Sequence, residues 1–217
     1  MLFRSPGTER ETRYAVDALL ADMDAAGIAQ AVIAPEDREM AVDNAAGNAR
    51  LCALAARHPD RLIPACSVNP WYGDQGLALL RAAVHGGAKL LVLSGALQGF
   101  LPVDELADPL LELAGELGVP VYFHTGPHSH GAPSPVVLAA QRHPGTRVIL
   151  GHCGTTDHAG DMPSILRAHR RPNLWFELSL VRPWGAGTWV TEETAGRFLW
   201  ASGAPRNAMR FELAQFR

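Results

Sequence analysis

The chain has 217 residues, 47% hydrophobic and 19% charged, a balance that excludes an intrinsically disordered protein. Its formal net charge is -3 and it has no Lys/Arg block, so a nucleic-acid partner, which needs a basic patch, is not expected. The longest apolar runs, such as Lys89–Ser94 with its neighbours, are far shorter than the roughly 20 residues that span a bilayer.

Other features of the sequence bear on its compartment. The segment from Met1 to Arg13 is polar and lacks the apolar core of a signal peptide. The chain has three cysteines, Cys52, Cys66 and Cys153. An odd number of cysteines without CxxC spacing favours reduced thiols over a disulfide framework. We therefore predict a cytoplasmic protein.

Seven short apolar runs, each bounded by Gly, Pro or Asn, predict strands. They are Ala29–Ala34, Arg61–Val68, Ala88–Ser94, Val119–His124, Thr146–His152, Asn173–Leu180 and Phe198–Ser202. Their near-continuous apolarity is typical of parallel strands that are buried on both faces.

Segments with a helical period lie between the runs. In Glu11–Ile28 the apolar residues recur on one face before Gly27, and the segments around Leu77–Val84 and Leu106–Leu117 behave alike before Gly86 and Gly118. Strand–helix alternation predicts an α/β fold. A doubly wound open sheet is the alternative, but no Gly-rich phosphate loop follows any strand.

We therefore predict a (β/α)₈ TIM-type barrel in one domain, residues 1–217, that lacks or shortens the first strand and the last helix. Only Met1 to Glu9 precede the first predicted helix, and fifteen residues follow Ser202. The strands at Ala29–Ala34 and Phe198–Ser202 would then be open edges, and Val32 and Leu199 would meet water there. Exposed edges invite pairing with another chain, so we predict a homodimer. A barrel closed by direct pairing of the two edges is the alternative.

Two histidines end neighbouring predicted strands, where the chemistry of a barrel is located. His124 ends the fourth run and His152 the fifth, each before a Gly-containing loop. We assign Tyr122 and His124 to one strand face, and Val148, Leu150 and His152 to one face of the next strand. Because adjacent strands lie about 4.8 Å apart, the two imidazoles are predicted to bind one divalent metal, zinc first. The alternative for each is an ordinary hydrogen-bonded histidine.

Glu177 is the main catalytic candidate, because it lies mid-strand on a face with Trp175 and Ser179. A carboxylate inside a barrel must be paired or lie in a polar site. It is predicted to be a general base or a substitute metal ligand, and the alternative is an ion pair with Arg147 or Arg182.

Further polar residues lie at strand ends or in the loops that follow. Ser94 and Ser202 are candidates for binding a small-molecule substrate. Neither belongs to a GxSxG motif that would indicate a catalytic triad. The loops also carry His128, His130, Asp157 and His158, which are expected to be solvated.

From about Leu19 to Pro205 the chain resembles the amidohydrolase-related family that includes aminocarboxymuconate-semialdehyde decarboxylase. The resemblance rests on several segments in order. They are Met23–Ile28, Asn48–Arg61, Asn69-Pro70, Leu97–Phe100, Val119–Gly126, Val148–Gly154, Asn173 with its strand, and Ala201–Pro205.

The resemblance implies a metal site with five ligand positions. Its two single histidines fall on His124 and His152, its aspartate on Gly203, and a lysine of some members on Val92. Its HxH pair has no counterpart. The implied activity is metal-dependent hydrolysis or non-oxidative decarboxylation of a small carboxylated or cyclic substrate, with replacement ligands from Glu177 or the loops. The alternatives are a degenerate barrel that serves as a binding or partner subunit, and an incomplete form of an enzyme.

Overall fold

The computed structural model describes residues 15–126, 129–155, 158–168, 171–181, 187–205 and 207–215. Within them, seven strands form one parallel sheet in sequential order. They are β1 (Ala31–Ile33), β2 (Leu62–Cys66), β3 (Leu90–Leu93), β4 (Val121–His124), β5 (Val148–Gly151), β6 (Leu174–Glu177) and β7 (Phe198–Leu199). The sheet curls into part of a barrel, and this confirms the predicted truncated (β/α)₈ fold.

Nine α-helices that lie wholly within the described residues connect or flank these strands. They are α1 (Val16–Ala26), α2 (Asp37–Ala41), α3 (Asn44–Arg57), α4 (Gly73–His85), α5 (Gly95–Gln98), α6 (Asp108–Glu116), α7 (Pro133–Arg142), α8 (Met162–Ala168) and α9 (Met209–Ala214). Short 3₁₀ turns lie at Pro70–Tyr72, Glu105–Ala107, Ser129–Gly131, His152–Gly154, Ala159–Asp161 and Ala195–Arg197. Within these ranges no helix is long and apolar enough to cross a membrane.

The main core lies between the strands and the helices. Val121 and Phe123 of β4 are buried with Val148 and Leu150 of β5 and with leucines of α6 such as Leu111. In a barrel strand, alternate residues pack against the outer helices in this way, and the other residues face the barrel interior. Tyr122 and His124 are therefore the inward-facing residues of β4.

The two edges of the sheet stay apart in the described residues, since β1 pairs only with β2 and β7 only with β6. The alternative of a closed seven-stranded barrel is therefore wrong. Val32 is 52% exposed and Leu199 is 38% exposed, which confirms that these apolar residues meet solvent at the gap. On the helix side, α9 packs against α1, and Met209 is buried beside Met23.

Amide side chains fix the loops at the carboxyl ends of the strands. Asn48 on α3 exchanges two hydrogen bonds with the backbone of Ser67, at 2.8 and 2.9 Å. Gln98 on α5 donates to the carbonyls of Met40 and Val68 and accepts from the Ser94 amide. The buried backbone groups of this face thus find partners, as they must away from water.

Candidate active site

Polar side chains from β4, β5 and β6 meet at the carboxyl end of the sheet. The Nδ1 atom of His124 lies 2.9 Å from the Nε2 atom of His152, and the two ring centroids are 5.1 Å apart. The predicted meeting of the two imidazoles is therefore present in the structure. Whether they hold a metal stays a prediction.

The predicted face of His152 is wrong. In the sheet register His124 is level with Gly151, and Val148 and Leu150 point away from the barrel interior. Alternation would send the next side chain, that of His152, into the helix layer. The strand instead ends at Gly151 and His152 adopts a φ of 58°, which turns its ring back toward His124.

Positive φ angles are concentrated here. The described non-glycine residues with positive φ are His152, Cys153, Thr155 and Leu180, all in the segments after β5 and β6. Such backbone costs an L-residue on the order of 1–2 kcal/mol and persists only where the surroundings enforce it. Its occurrence beside two histidines indicates that the surrounding structure constrains this segment.

Glu177 is the last residue of β6 rather than lying mid-strand as predicted; it is 4% exposed, and both of its carboxylate oxygens accept hydrogen bonds. Its Oε2 accepts from the Tyr122 hydroxyl at 2.6 Å and from the His152 amide at 3.1 Å. Its Oε1 accepts a short hydrogen bond from the Ser179 amide. The expected arginine partner Arg147 donates instead to the Gly118 carbonyl, and Arg182 lies outside the described residues.

Ser179 and Tyr122 join the histidines to this carboxylate. The Ser179 hydroxyl lies 2.7 Å from His152 Nδ1, and the Tyr122 hydroxyl lies 3.4 Å from His152 Nε2. Burial, followed by the charge of Glu177 and the hydrogen bond to it, raises the pKa of Tyr122 well above its ordinary value. The phenol therefore keeps its proton and donates a hydrogen bond to the carboxylate. Neither residue was among the predicted site residues, although each shares an inward face with one of them.

A glycine makes room for Tyr122. A Cβ atom built on Gly151 would lie 2.2 Å from the Tyr122 Oη and Cζ atoms, far closer than any real contact. Gly151 therefore admits the tyrosine ring between the strands, so that its hydroxyl reaches Glu177.

Two positions that the resemblance singled out are filled differently here. Val92, at the lysine position, is 1% exposed and packs with Met40 and Ala65, so this side of the interior is apolar. Gly203, at the aspartate position, has a φ of 59°, and a Cβ there would lie 3.1 Å from Leu180 and 3.5 Å from Ser179. A side chain at this position would need Leu180 to shift by a few tenths of an ångström and would have a backbone φ that L-residues rarely adopt.

The remaining predicted site residues differ in their exposure and in their contacts. Ser94 is buried at 4% exposure, and the Ser202 hydroxyl accepts from the Ala204 amide. His130 is exposed beside Ser129, and His158 pairs with Asp161 at 3.6 Å. His128 and Asp157 lie outside the described residues.

The site does not by itself fit a firmly held metal. Catalytic zinc takes three protein ligands with nitrogens at about 2.0–2.1 Å. His124 and His152 offer two nitrogens, and the described ranges contain no group of three His, Cys, Asp or Glu residues able to hold an ion. Both oxygens of the nearest carboxylate, Glu177, are already used.

Residues 6–215 match the family model described as Amidohydrolase. Among solved structures, the chain is similar to an uncharacterised TIM-barrel protein from Bordetella bronchiseptica (TM-score 0.76, 19% identity, 94% of this chain and 75% of that one). It is also similar to 2,6-dihydroxybenzoate decarboxylase from Rhizobium (0.73, 19%, 92% and 80%). A third is 5-carboxyvanillate decarboxylase from Novosphingobium aromaticivorans, complexed with manganese and a nitrobenzoic acid (0.67, 19%, 97% and 78%). Identities this low show the fold alone. No curated protein matches the sequence.

Proposed function

The chain belongs to the amidohydrolase family, and from that membership we propose that it hydrolyses or decarboxylates a small carboxylated or cyclic substrate. The observation that carries the proposal is the contact between His124 and His152, 2.9 Å apart at the carboxyl ends of neighbouring strands. Polar residues at this face of a barrel are where the fold places its chemistry.

The imidazole pair holds and moves protons in the proposed reaction. His124 Nδ1 and His152 Nε2 lie within hydrogen-bond distance, as do His152 Nδ1 and the Ser179 hydroxyl, so a proton can pass along either contact. Hydrolysis requires a base that takes a proton from water, and decarboxylation requires an acid that protonates the carbon losing CO₂. Histidine serves both because its ordinary pKa, about 6.5, lies near neutrality.

The apolar side of the interior suits the organic part of the substrate. Met40, Ala65 and Val92 form one wall, and Tyr122 packs against it. We propose that this wall contacts a ring or a short carbon skeleton, while the carboxylate or carbonyl lies toward the histidines. Ser202, and after a local rearrangement the buried Ser94, are proposed as further substrate contacts.

We propose only weak binding of a divalent metal by His124 and His152, with zinc as the first candidate. Manganese is present in the decarboxylase relative from Novosphingobium, which motivates the test. Calorimetric titration of the purified protein with Zn²⁺ and with Mn²⁺ should show weak binding of about one equivalent that is lost in a His124→Ala, His152→Ala double variant. Binding that survives in the double variant would contradict this assignment.

Turnover decides between an enzyme and a binding subunit. The protein is offered hydroxybenzoates and small cyclic amides and lactones, with product followed by chromatography and CO₂ release. We expect turnover that His124→Ala lowers by about 10²–10⁴-fold, the usual contribution of an acid–base residue. A protein that binds such compounds by calorimetry but turns none over would be the degenerate barrel instead.

Two broader proposals accompany this function. The exposed Val32 and Leu199 at the sheet edges support the proposed homodimer, because a second copy would cover them. A reducing cytoplasm is proposed from the unpaired Cys52, Cys66 and Cys153.

A further inference from the structure

Glu177 is bound by donors on three different sides. One is a side chain of β4, the Tyr122 hydroxyl, and the other two are the backbone amides of His152 and Ser179. A carboxylate accepts up to about four hydrogen bonds, and those from backbone amides tie it to chain geometry rather than to substrate. A general base needs a lone pair directed at the substrate. Glu177 instead directs its oxygens at the protein.

We propose that Glu177 is a positioning residue, which holds the left-handed backbone at His152 and thereby aims the imidazole at His124. The inference rests on the proposed function, because it concerns the same pair of histidines. It replaces the expected role of Glu177 as a base with one exerted through His152.

The geometry explains how one carboxylate controls both the backbone and the ring. Oε2 accepts the His152 amide at 3.1 Å, in the residue whose φ is 58°. Oε1 fixes the Ser179 amide, and the hydroxyl of that serine lies 2.7 Å from the His152 Nδ1 atom. The backbone turn and the far side of the ring are therefore held by one buried group, and Nε2 is left facing His124.

The same arrangement selects a tautomer. The Tyr122 hydroxyl donates to Glu177, so it can only accept at His152 Nε2. His152 Nδ1 faces the Ser179 hydroxyl and, at 3.4 Å, Glu177 Oε2, whereas Nε2 faces His124, so the two ring nitrogens have different partners and one neutral tautomer is favoured over the other. The partner at one ring nitrogen sets the proton at the other in this way.

The experiment reads that tautomer directly by long-range ¹H–¹⁵N correlation of the imidazoles, above their titration range. Wild-type His152 should give one pyrrole-type and one pyridine-type nitrogen signal. In Glu177→Gln the amide NH₂ opposes a backbone N–H, so the turn relaxes and the two signals should move toward each other. His143, which is bonded to Asp108 elsewhere, reports on the intact fold and should not change.

Replacement variants cover the case in which Glu177→Gln does not fold. If Glu177→Gln loses the His143 signals as well, Ser179→Ala and Tyr122→Phe take over the test, and each should shift His152. Tyr72→Phe is the matched control, because it removes a phenol that donates only to the Val42 carbonyl in the described contacts. Unchanged His152 signals in folded Glu177→Gln, or in both replacement variants, would overturn the proposal. No substrate enters this test, so absent turnover with an ordered His152 refutes only the proposed function.

Discussion

The fit of Tyr122 against Gly151 gives a measurable consequence for stability. In Gly151→Ala the new Cβ would lie 2.2 Å from the Tyr122 Oη and Cζ atoms and 2.5 Å from Cε1. The ring must move, because contacts below about 3 Å do not persist and the rigid phenol cannot bend away. When it moves, the 2.6 Å hydrogen bond from its hydroxyl to Glu177 is lost.

The magnitude follows from two contributions. Overpacking a well-filled interior costs about 1–3 kcal/mol. Loss of a hydrogen bond to a charged group costs about 1.5–3 kcal/mol, since the buried Glu177 then lacks that donor. Together they predict that the free energy of unfolding falls by about 2.5–6 kcal/mol, a large part of the 5–15 kcal/mol typical of a domain. Tyr122→Phe should cost only the hydrogen-bond part.

Urea unfolding followed by circular dichroism measures these differences. Gly145→Ala is the control, because a Cβ there meets nothing within 4 Å, and it should change the free energy by less than about 0.5 kcal/mol. The decisive comparison is Gly151→Ala in a Tyr122→Ala background. With the ring gone, the added methyl group should cost less than about 1 kcal/mol. An equal cost in both backgrounds would show that Gly151 does not serve to admit Tyr122.

Three further predictions concern charge and assembly. Glu212 is 1% exposed, and its Oε2 has no hydrogen-bond partner among the described residues. Burial raises the pKa of Glu212 above the ordinary 4.5, so the protein loses stability as pH rises through the pKa of the folded state. Glu212→Gln should flatten this dependence and stabilise the protein at neutral pH by about 1–3 kcal/mol, and a less stable variant in urea would contradict it. Burial favours a raised pKa for Asp108, but hydrogen bonds from Arg142 and His143 outweigh burial and lower that pKa. Asp108 therefore contributes fully to the free energy of unfolding above the ordinary pKa of 3.8, and this contribution disappears as pH falls through its pKa in the folded state. Asp108→Asn should therefore destabilise the protein at neutral pH and have little effect in acid, and an equal effect at both pH values would refute the assignment. Light scattering should give a mass of about twice 23.3 kDa for the wild type, and Leu199→Lys should shift it toward the mass of one chain. A wild-type monomer of ordinary stability would exclude the dimer.

The fold could be predicted because strands that are buried on both faces have apolar residues along their whole length. Each predicted run contains its strand, trimmed at the ends, as β5 (Val148–Gly151) is within Thr146–His152. The helix α3 (Asn44–Arg57) was missed for a specific reason. Its buried side is formed by Asn44, Gly47, Asn48, Leu51 and Ala55, so amides and small residues stand where an apolar stripe is expected. Asn48 is buried because it bonds the Ser67 backbone, a contact that periodicity does not reveal.

The site was only partly readable, because its geometry depends on a departure from regular structure. Alternation correctly placed Glu177 and Ser179 on one inward face and Tyr122 beside His124 on another. It misplaced His152, because a strand pattern cannot foresee a residue with a φ of 58° after the last pair of the ladder. The two rings meet because of this turn at His152, which the sequence pattern does not predict.

The cost of that departure constrains what Glu177 does. A left-handed backbone at His152 is unfavourable by on the order of 1–2 kcal/mol, and Leu180, just beyond Ser179, repeats it with a φ of 64°. Hydrogen bonds to a buried charge contribute about 1.5–3 kcal/mol each, and Glu177 receives them from the His152 and Ser179 amides. The carboxylate thus offsets strain directly at His152 and holds the residue next to Leu180. If the carboxylate turned toward a substrate, the turn at His152 would lose the interaction that sustains it, so the proposed acid–base chemistry is assigned to the histidine pair.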